Sequence, residues 1–213
     1  MSGPTKTSSA AAGSGSPALG DGGRPSEPCH FRTLCADDVE LLTQWLANPD
    51  IQRVFEDEPG GIDASRRKVQ ALIGMDPVID RQCGYLVLYE QRPIGFIHLK
   101  EINWIGRTGE LDILVEPASQ RSLFGLWVVA KTGEICFDML NLRKAYGYIF
   151  ANNTPSSRFF SRLLQHEATL TPGRRPDSGD EDVLIVSLTV EHYRALRSRY
   201  RWDDFIKGRG TRP

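Results

Sequence analysis

Apolar residues along this chain change between the spacing of strands and the spacing of helices. Six short runs are rich in branched and aromatic side chains, which favour β-strands: residues 31–34, 84–89, 94–99, 110–115, 144–150 and 183–188. Apolar residues instead recur three and four positions apart after Asp38, Asp63, Gly125 and Thr154, and over residues 189–200, which indicates amphipathic helices. This order of strands and helices predicts an α/β domain.

The most apolar pair of elements is the strand over residues 110–115 and the helix that ends near Leu140, joined by a polar loop at residues 118–125. The helix carries three charged residues, spaced three and four apart: Lys131, Glu134 and Asp138. Such spacing confines the charge to one narrow stripe and leaves the rest of the helix surface apolar. A buried strand that leads into a buried helix is therefore predicted to be central to the domain.

The loop between these two elements is a candidate anion site. The first N–H groups of a helix have no partner within the helix, and the helix dipole adds partial positive charge there. A phosphate suits that position, and Arg121 and Ser122 could add donors. A loop with one glycine is also compatible with an ordinary connection, and both interpretations stay open.

Composition bounds the class of protein. The chain has 213 residues, of which 40% are hydrophobic and 25% are charged, and a net charge of −1. These values predict one soluble domain with a tail, and they do not favour nucleic acid or an anionic membrane as a partner. We find no apolar run close to the ~20 residues that cross a bilayer. The scattered cysteines do not predict a disulfide or a metal site and fit a reducing cytoplasm.

The two ends of the chain differ from the middle. Residues 1–28 are mostly Ser, Gly, Ala and Pro, and too few large apolar side chains are present to offset the entropy of ordering them. We therefore predict a disordered tail over residues 1–28, one folded domain over residues 29–206, and a frayed terminus over residues 207–213.

Four segments carry a resemblance to a known family: FRTLCADDVELLTQWLANPDI, RPIGFIHL, CFDMLNLRKAYGYIFANNTPSSRFFSRLL and VLIVSLTVEHY. Together with the order of elements, they resemble the GNAT superfamily of acyl-CoA N-acetyltransferases, in the branch of the ribosomal-protein N-terminal and amino-sugar acetyltransferases. The resemblance covers residues 31–193. It implies the GNAT fold, a mixed and mostly antiparallel sheet that splays at the central strand and is flanked by helices, with acetyl-CoA as co-substrate.

The resemblance also implies where acetyl-CoA binds. The acyl-CoA loop of the family, Q/R-x-x-G-x-G/A, falls on six residues: Gln120, Arg121, Ser122, Leu123, Phe124 and Gly125. The pyrophosphate is expected at these residues and Leu126, and the pantetheine along the backbone of Leu114 and Val115. Leu123 replaces the middle glycine of the motif, which a position with positive φ or close ligand contact would not tolerate.

The same resemblance suggests the catalytic groups. Direct attack of an amine on a thioester needs a base and donors for the oxyanion. Glu110 and Asp112 share one face of their strand, and a carboxylate near Glu110 serves several members of the family as the base. His98 is a second candidate. Pairing of both acids with Lys or Arg on the neighbouring strand, and a structural histidine, are the alternatives.

The general acid expected from the family is missing. The family tyrosine follows its asparagine by seven residues, and from Asn153 that position is Phe160. Asn153 and Phe160 are still expected to line the cofactor side. A thiolate is a fair leaving group without help; otherwise water, or a tyrosine such as Tyr146 or Tyr148, supplies the proton.

Three functional hypotheses remain. The first is acetylation of a small-molecule amine, such as an amino sugar or an antibiotic-type metabolite, by a cytoplasmic monomer or homodimer. The second is acetylation of protein N-termini. The third is a degenerate GNAT domain that binds without turnover, which the departures at Leu123 and Phe160 would explain.

Overall fold

The computed structural model describes residues 28–55, 61–119, 124–171 and 181–206. Seven strands of these residues form one sheet in the order β1-β2-β3-β4-β5-β7-β6. They are β1 (Cys29–Thr33), β2 (Cys83–Tyr89), β3 (Arg92–Asn103), β4 (Thr108–Val115), β5 (Lys144–Phe150), β6 (Gln165–Leu170) and β7 (Val183–Thr189). Neighbouring strands are antiparallel except β4 and β5, which are parallel. The predicted α/β fold with a mostly antiparallel sheet is confirmed.

Helices cover both faces of the sheet. They are α1 (Val39–Leu46), α2 (Pro49–Phe55), α3 (Gly61–Leu72), α4 (Phe124–Gly133), α5 (Thr154–Phe160), α6 (Val190–Arg199) and α7 (Trp202–Ile206). Short 3-10 turns precede α1 and follow β4, and α4 continues as a π-helical segment over Glu134–Met139. No helix among the described residues has the length and apolarity that crossing a membrane requires.

The sheet separates two hydrophobic cores. One core packs α1 and α3 against residues of β2, β3 and β4 that include Leu86, Phe96 and Leu114. The other packs α4, α6 and α7 against the opposite face of the sheet, with Ile97 and Leu99 among its strand residues. In the middle of β3, alternation therefore sends Phe96 to the α1–α3 layer and Ile97 and Leu99 to the α4 layer.

The two parallel strands separate soon after they meet. Three residue pairs join β4 to β5, and Glu110 opposite Tyr146 is the last of them. From Leu111 onward, β4 is paired to β3 alone among the described strands. The sheet thus opens into a gap at the place where the resemblance implied a splay.

Three predictions about elements need correction. The acidic sequence over residues 51–61 predicts an irregular segment, but its described start belongs to α2, because Pro49 can occupy the first turn of a helix. Helix α5 ends at Phe160 instead of near residue 165, and the chain then forms β6 in place of the expected end of that helix. Most β6 side chains are exposed, so no apolar alternation marks this strand in the sequence.

The charged stripe predicted for the central helix is partly buried. Lys131 is fully buried, and its Nζ lies 2.8 Å from Glu134 Oε2 and 5.8 Å from the centre of the Phe31 ring. These contacts offset the cost of burying its charge. Two further predictions lie outside the described residues, save for Pro28: the disordered tail at residues 1–28 and the frayed terminus at residues 207–213.

Candidate active site

A cavity of about 580 Å³ fills the gap between β4 and β5. Its lining includes Ile51 of α2 on one side of the sheet and Val129 and Thr132 of α4 on the other. The cavity therefore passes through the sheet and connects the two helical layers. Its size is that of a typical small-molecule site.

The backbone of β4 provides polar groups inside the gap. The N–H of Glu116 donates to the carbonyl of Ile94 on β3 at 2.9 Å. Because successive residues of a strand point their backbone groups to opposite sides, the N–H and C=O groups of Ile113 and Val115 face the gap. No described strand pairs with them there. They can bind an extended ligand such as a pantetheine arm, whereas the N–H of Leu114, the other residue expected to do so, is directed at β3.

Close contact at the start of the gap depends on a glycine. A Cβ atom placed on Gly147 of β5 would lie 2.8 Å from the carbonyl oxygen of Leu111. Real Cβ atoms do not approach a backbone oxygen this closely, so a side chain here would push the two strands apart. Gly147 thereby fixes the position at which β4 and β5 diverge.

Glu110 and Asp112 share a cation across the β3–β4 ladder. Lys100 is directly opposite Glu110 in the strand register. Its Nζ lies 3.0 Å from Glu110 Oε1 and 3.0 Å from Asp112 Oδ2. All three side chains line the cavity, and Glu110 is only 8% exposed. The two carboxylates thus pair with a cation on the neighbouring strand, which the sequence allowed as an alternative. Both carboxylates nevertheless line the cavity.

His98 lies behind Asp112 and does not line the cavity. It is opposite Asp112 in the register, is 6% exposed, and its Nδ1 is 3.3 Å from Asp112 Oδ2 without hydrogen-bond alignment. Its Nε2 is 3.4 Å from Gln82 Oε1. Burial raises the pKa of Asp112, but His98 and the charge of Lys100 outweigh burial and hold this pKa below its usual range. These contacts fit the structural histidine that the sequence allowed, and a catalytic role for His98 stays a prediction.

Two tyrosines line the cavity from β5. Tyr146 is opposite Glu110, and Tyr148 follows on the same face, with ring centres 6.2 Å apart in an edge contact. Burial raises the pKa of Tyr146, and the negative charge of Glu110 raises it further. Its hydroxyl therefore stays protonated at neutral pH and can donate a hydrogen bond.

Helix α5 closes the far end of the cavity. Asn153 caps this helix, since its side chain accepts a hydrogen bond from the N–H of Ser156 at 3.2 Å. Asn153 and Phe160 both line the cavity. Asn153 thus has a local role as a helix cap besides its place in the cavity lining.

The predicted pyrophosphate loop is described only at its end. Gln120, Arg121, Ser122 and Leu123 lie outside the described residues. Of the remaining three, Gly125 lines the cavity, Phe124 packs against Tyr89 with ring centres 5.5 Å apart, and Leu126 packs on the core. Binding of a pyrophosphate by this loop stays a prediction.

The lining residues that sequence reasoning missed include Lys100, Gly147 and Asp50. Lys100 could have been found by pairing β3 with β4 in register, because it then falls opposite Glu110. Gly147, in the middle of an apolar strand, signals close backbone contact. Asp50 gave no signal, since its segment was not expected to be helical.

Comparisons with known proteins agree with this geometry. The model of the acetyltransferase (GNAT) domain matches residues 29–163, which is more than half of the chain. A search of curated proteins finds no match.

Solved structures share the fold at low sequence identity. A spermidine N-acetyltransferase from Vibrio cholerae, in complex with CoA and spermine, is 22% identical, with a TM-score of 0.66 over 78% of this chain and 98% of that one. A candidate acetyltransferase from T. thermophilus is 17% identical, with a TM-score of 0.66 over 82% and 93%. Another candidate acetyltransferase is 16% identical, with a TM-score of 0.69 over 88% and 98%. At these identities the likeness concerns the fold.

Proposed function

This chain belongs to the GNAT acetyltransferase family and transfers an acetyl group from acetyl-CoA to an amine, and we propose that the acceptor is the primary amine of a small molecule. The observation that carries the proposal is the buried carboxylate of Glu110, which lines a cavity of about 580 Å³ where β4 and β5 part. A pocket of this kind suits a small acceptor, whereas a protein N-terminus requires an open cleft for a peptide.

The residues of the gap fit acetyl-CoA as the donor. The free backbone edge of β4 at Ile113 and Val115 can pair with the amide groups of an extended pantetheine. An N–H group on this edge can donate to the thioester carbonyl as negative charge develops on its oxygen. When bound, acetyl-CoA supplies the activated acyl group, and the chain supplies orientation and proton transfer.

Glu110 is proposed as the base. An acceptor amine is an ammonium ion at neutral pH and must lose a proton before its nitrogen can attack. Glu110 accepts this proton, directly or through water, from an amine that enters on the α2 side of the sheet. Direct attack then forms the amide without an acyl-enzyme.

Charge favours a cationic acceptor. The cavity lining holds three carboxylates, those of Asp50, Glu110 and Asp112, against the single ammonium of Lys100 among the described residues. A negative cavity concentrates cations from solution. Acceptors with a second positive charge, such as polyamines, are therefore sensible probes beside amino sugars.

The proposal is tested by an acceptor panel. Thiol release from acetyl-CoA is measured with glucosamine, spermidine and an unblocked tripeptide, after calorimetry with acetyl-CoA and with desulfo-CoA as a control. We expect micromolar binding and turnover of at least one of the two small amines. Turnover of the tripeptide alone would favour N-terminal acetylation, and no binding up to millimolar acetyl-CoA would overturn the proposal.

A further inference from the structure

The reaction releases a thiolate, and a proton donor beside the departing sulfur lowers the barrier to that step. A free cysteine thiol has a pKa near 8.5, and the CoA thiol is likewise a weak acid, so its thiolate is a fair but not an ideal leaving group at neutral pH. General acids in such positions typically accelerate a step by roughly 10²–10⁴-fold. The lining of the cavity can therefore be searched for a group that holds a transferable proton.

Three described lining residues near the gap do not meet this requirement. Phe160 has no proton to give. The Thr132 hydroxyl donates to the carbonyl of Val128 at 2.9 Å, so its proton is already engaged. Lys100 holds two carboxylates at 3.0 Å, and their charges raise its pKa although burial lowers it. Its ammonium would lose both contacts by giving up a proton.

Tyr146 meets the requirement. It is the residue of β5 in the last strand pair before the gap opens, directly opposite Glu110. Its side chain is half-buried and lines the cavity. Among the residues that the structure describes, none forms a hydrogen bond with its hydroxyl, so the O–H group is available to a ligand.

We infer that Tyr146 is the general acid of the acetyl transfer, an inference that rests on the proposed function. The acceptor ammonium first gives one proton to Glu110, which releases it to solvent water. The neutral amine nitrogen then bonds to the carbonyl carbon, and the surplus proton of the bonded nitrogen passes to Glu110. As the carbon–sulfur bond breaks, its electron pair goes to sulfur, and the Tyr146 hydroxyl gives that sulfur its proton. Glu110 then passes the surplus proton to the phenolate through water, so both side chains regain their starting states.

The position beside Glu110 is what separates Tyr146 from Tyr148. Tyr146 is paired in register with Glu110 and Tyr148 is not. Tyr146 is therefore the tyrosine that can recover its proton from Glu110 over a short path. The raised pKa of its hydroxyl keeps it in the donating form before each turnover. Tyr148 shares the strand, the face and the cavity, and it is therefore the matched control.

The decisive experiment varies the leaving group. Single-turnover transfer is measured for wild type, Tyr146→Phe and Tyr148→Phe, with acetyl-CoA and with its selenoester analogue, using the best acceptor of the panel. A selenol is much more acidic than a thiol and needs no proton to leave. We expect Tyr146→Phe to lower the transfer rate by about 100-fold or more with the thioester and to leave the rate with the selenoester unchanged. Tyr148→Phe should respond equally to both donors.

The inference would be overturned if Tyr146→Phe lowered the transfer rate equally with both donors, or with neither. Either result would leave the proposed function intact. A binding measurement tests the inference separately from the proposed function, because it needs no turnover. If the hydroxyl contacts sulfur, Tyr146→Phe should weaken binding of CoA by about 5-fold, as for one hydrogen bond, and leave desulfo-CoA unchanged. Equal affinities of the variant and wild type for CoA would also count against the contact.

Discussion

At the scale of single residues, Lys100 distinguishes the two carboxylates of β4. Asp112 lies beside both Lys100 and His98, whereas Lys100 is the one charged partner of Glu110 among the described residues. A carboxylate that is held from two sides is less available to a substrate. We therefore expect Glu110 to carry the chemistry and Asp112 to hold Lys100 in place.

The first prediction concerns Glu110→Gln. This substitution keeps the shape of the side chain and removes the base, so we expect kcat to fall by about 100-fold or more. The affinity for acetyl-CoA, measured by calorimetry, should stay unchanged, because in the proposed site the donor contacts the backbone of β4 and α4. Unchanged turnover would remove Glu110 from the mechanism.

The second prediction concerns Asp112 and pH. Because its pKa in the folded protein lies below the unfolded value of about 3.9, the carboxylate stabilises the fold above that pH and loses this effect as pH falls through the folded pKa. Asp112→Asn should lower the free energy of unfolding by roughly 1–3 kcal/mol at pH 7. Urea titrations at pH 7 and pH 3 should show a smaller difference at the acidic pH. A difference of equal size at both would indicate a steric cause.

At the scale of elements, the junction of β4 and β5 determines the site. Only three residue pairs hold these strands together, and Gly147 lies against the carbonyl of Leu111 immediately after the last pair. The width of the gap thus depends on a contact between two backbones. A small change at this contact is transmitted to every group that lines the cavity.

The third prediction follows from that contact. Gly147→Ala would place a methyl group 2.8 Å from a backbone oxygen, which forces the strands to shift. We expect a loss of about 1–3 kcal/mol in the free energy of unfolding and weaker binding of acetyl-CoA. Gly106→Ala is the control, since the nearest atom to its added methyl group is 3.5 Å away. Equal behaviour of the two variants in denaturation and calorimetry would contradict the role given to Gly147.

The local pattern of apolar residues predicted the buried strands and helices, and it failed for elements whose side chains are mostly exposed. The strand at residues 110–115 and the helix after Gly125 could be predicted because their apolar side chains fill a core. The exposed strand β6 is a strand because it pairs with β7, and no local pattern records that pairing. In the same way, alternation placed Glu110 and Asp112 on one face, but their shared contact with Lys100 depends on the register of two strands.

At the scale of the whole molecule, the two substrates are expected to meet inside the sheet. The lining of the cavity contains no cysteine among the described residues. Burial raises the pKa of Cys83 to about 12 and that of Cys136 still further. These thiols are protonated at neutral pH and are poor acyl acceptors.

The fourth prediction is that no acetyl-enzyme forms. After incubation with acetyl-CoA in the absence of amine, the mass of the intact protein should be unchanged. Initial rates with both substrates varied should give intersecting lines, which are typical of a ternary complex, instead of the parallel lines of a ping-pong mechanism. A covalent acetyl adduct that disappears when amine is added would contradict direct transfer.

A cavity that passes through the sheet also bears on how such an enzyme can change over generations. In the proposed site, donor contacts belong to β4 and the α4 layer, and acceptor contacts belong to the α1–α3 layer on the other face. Substitutions that alter which amine is accepted can accumulate in one layer without cost to the donor site in the other. We expect descendants of one ancestral chain to diverge in acceptor while the half of the molecule that binds acetyl-CoA is inherited nearly unchanged.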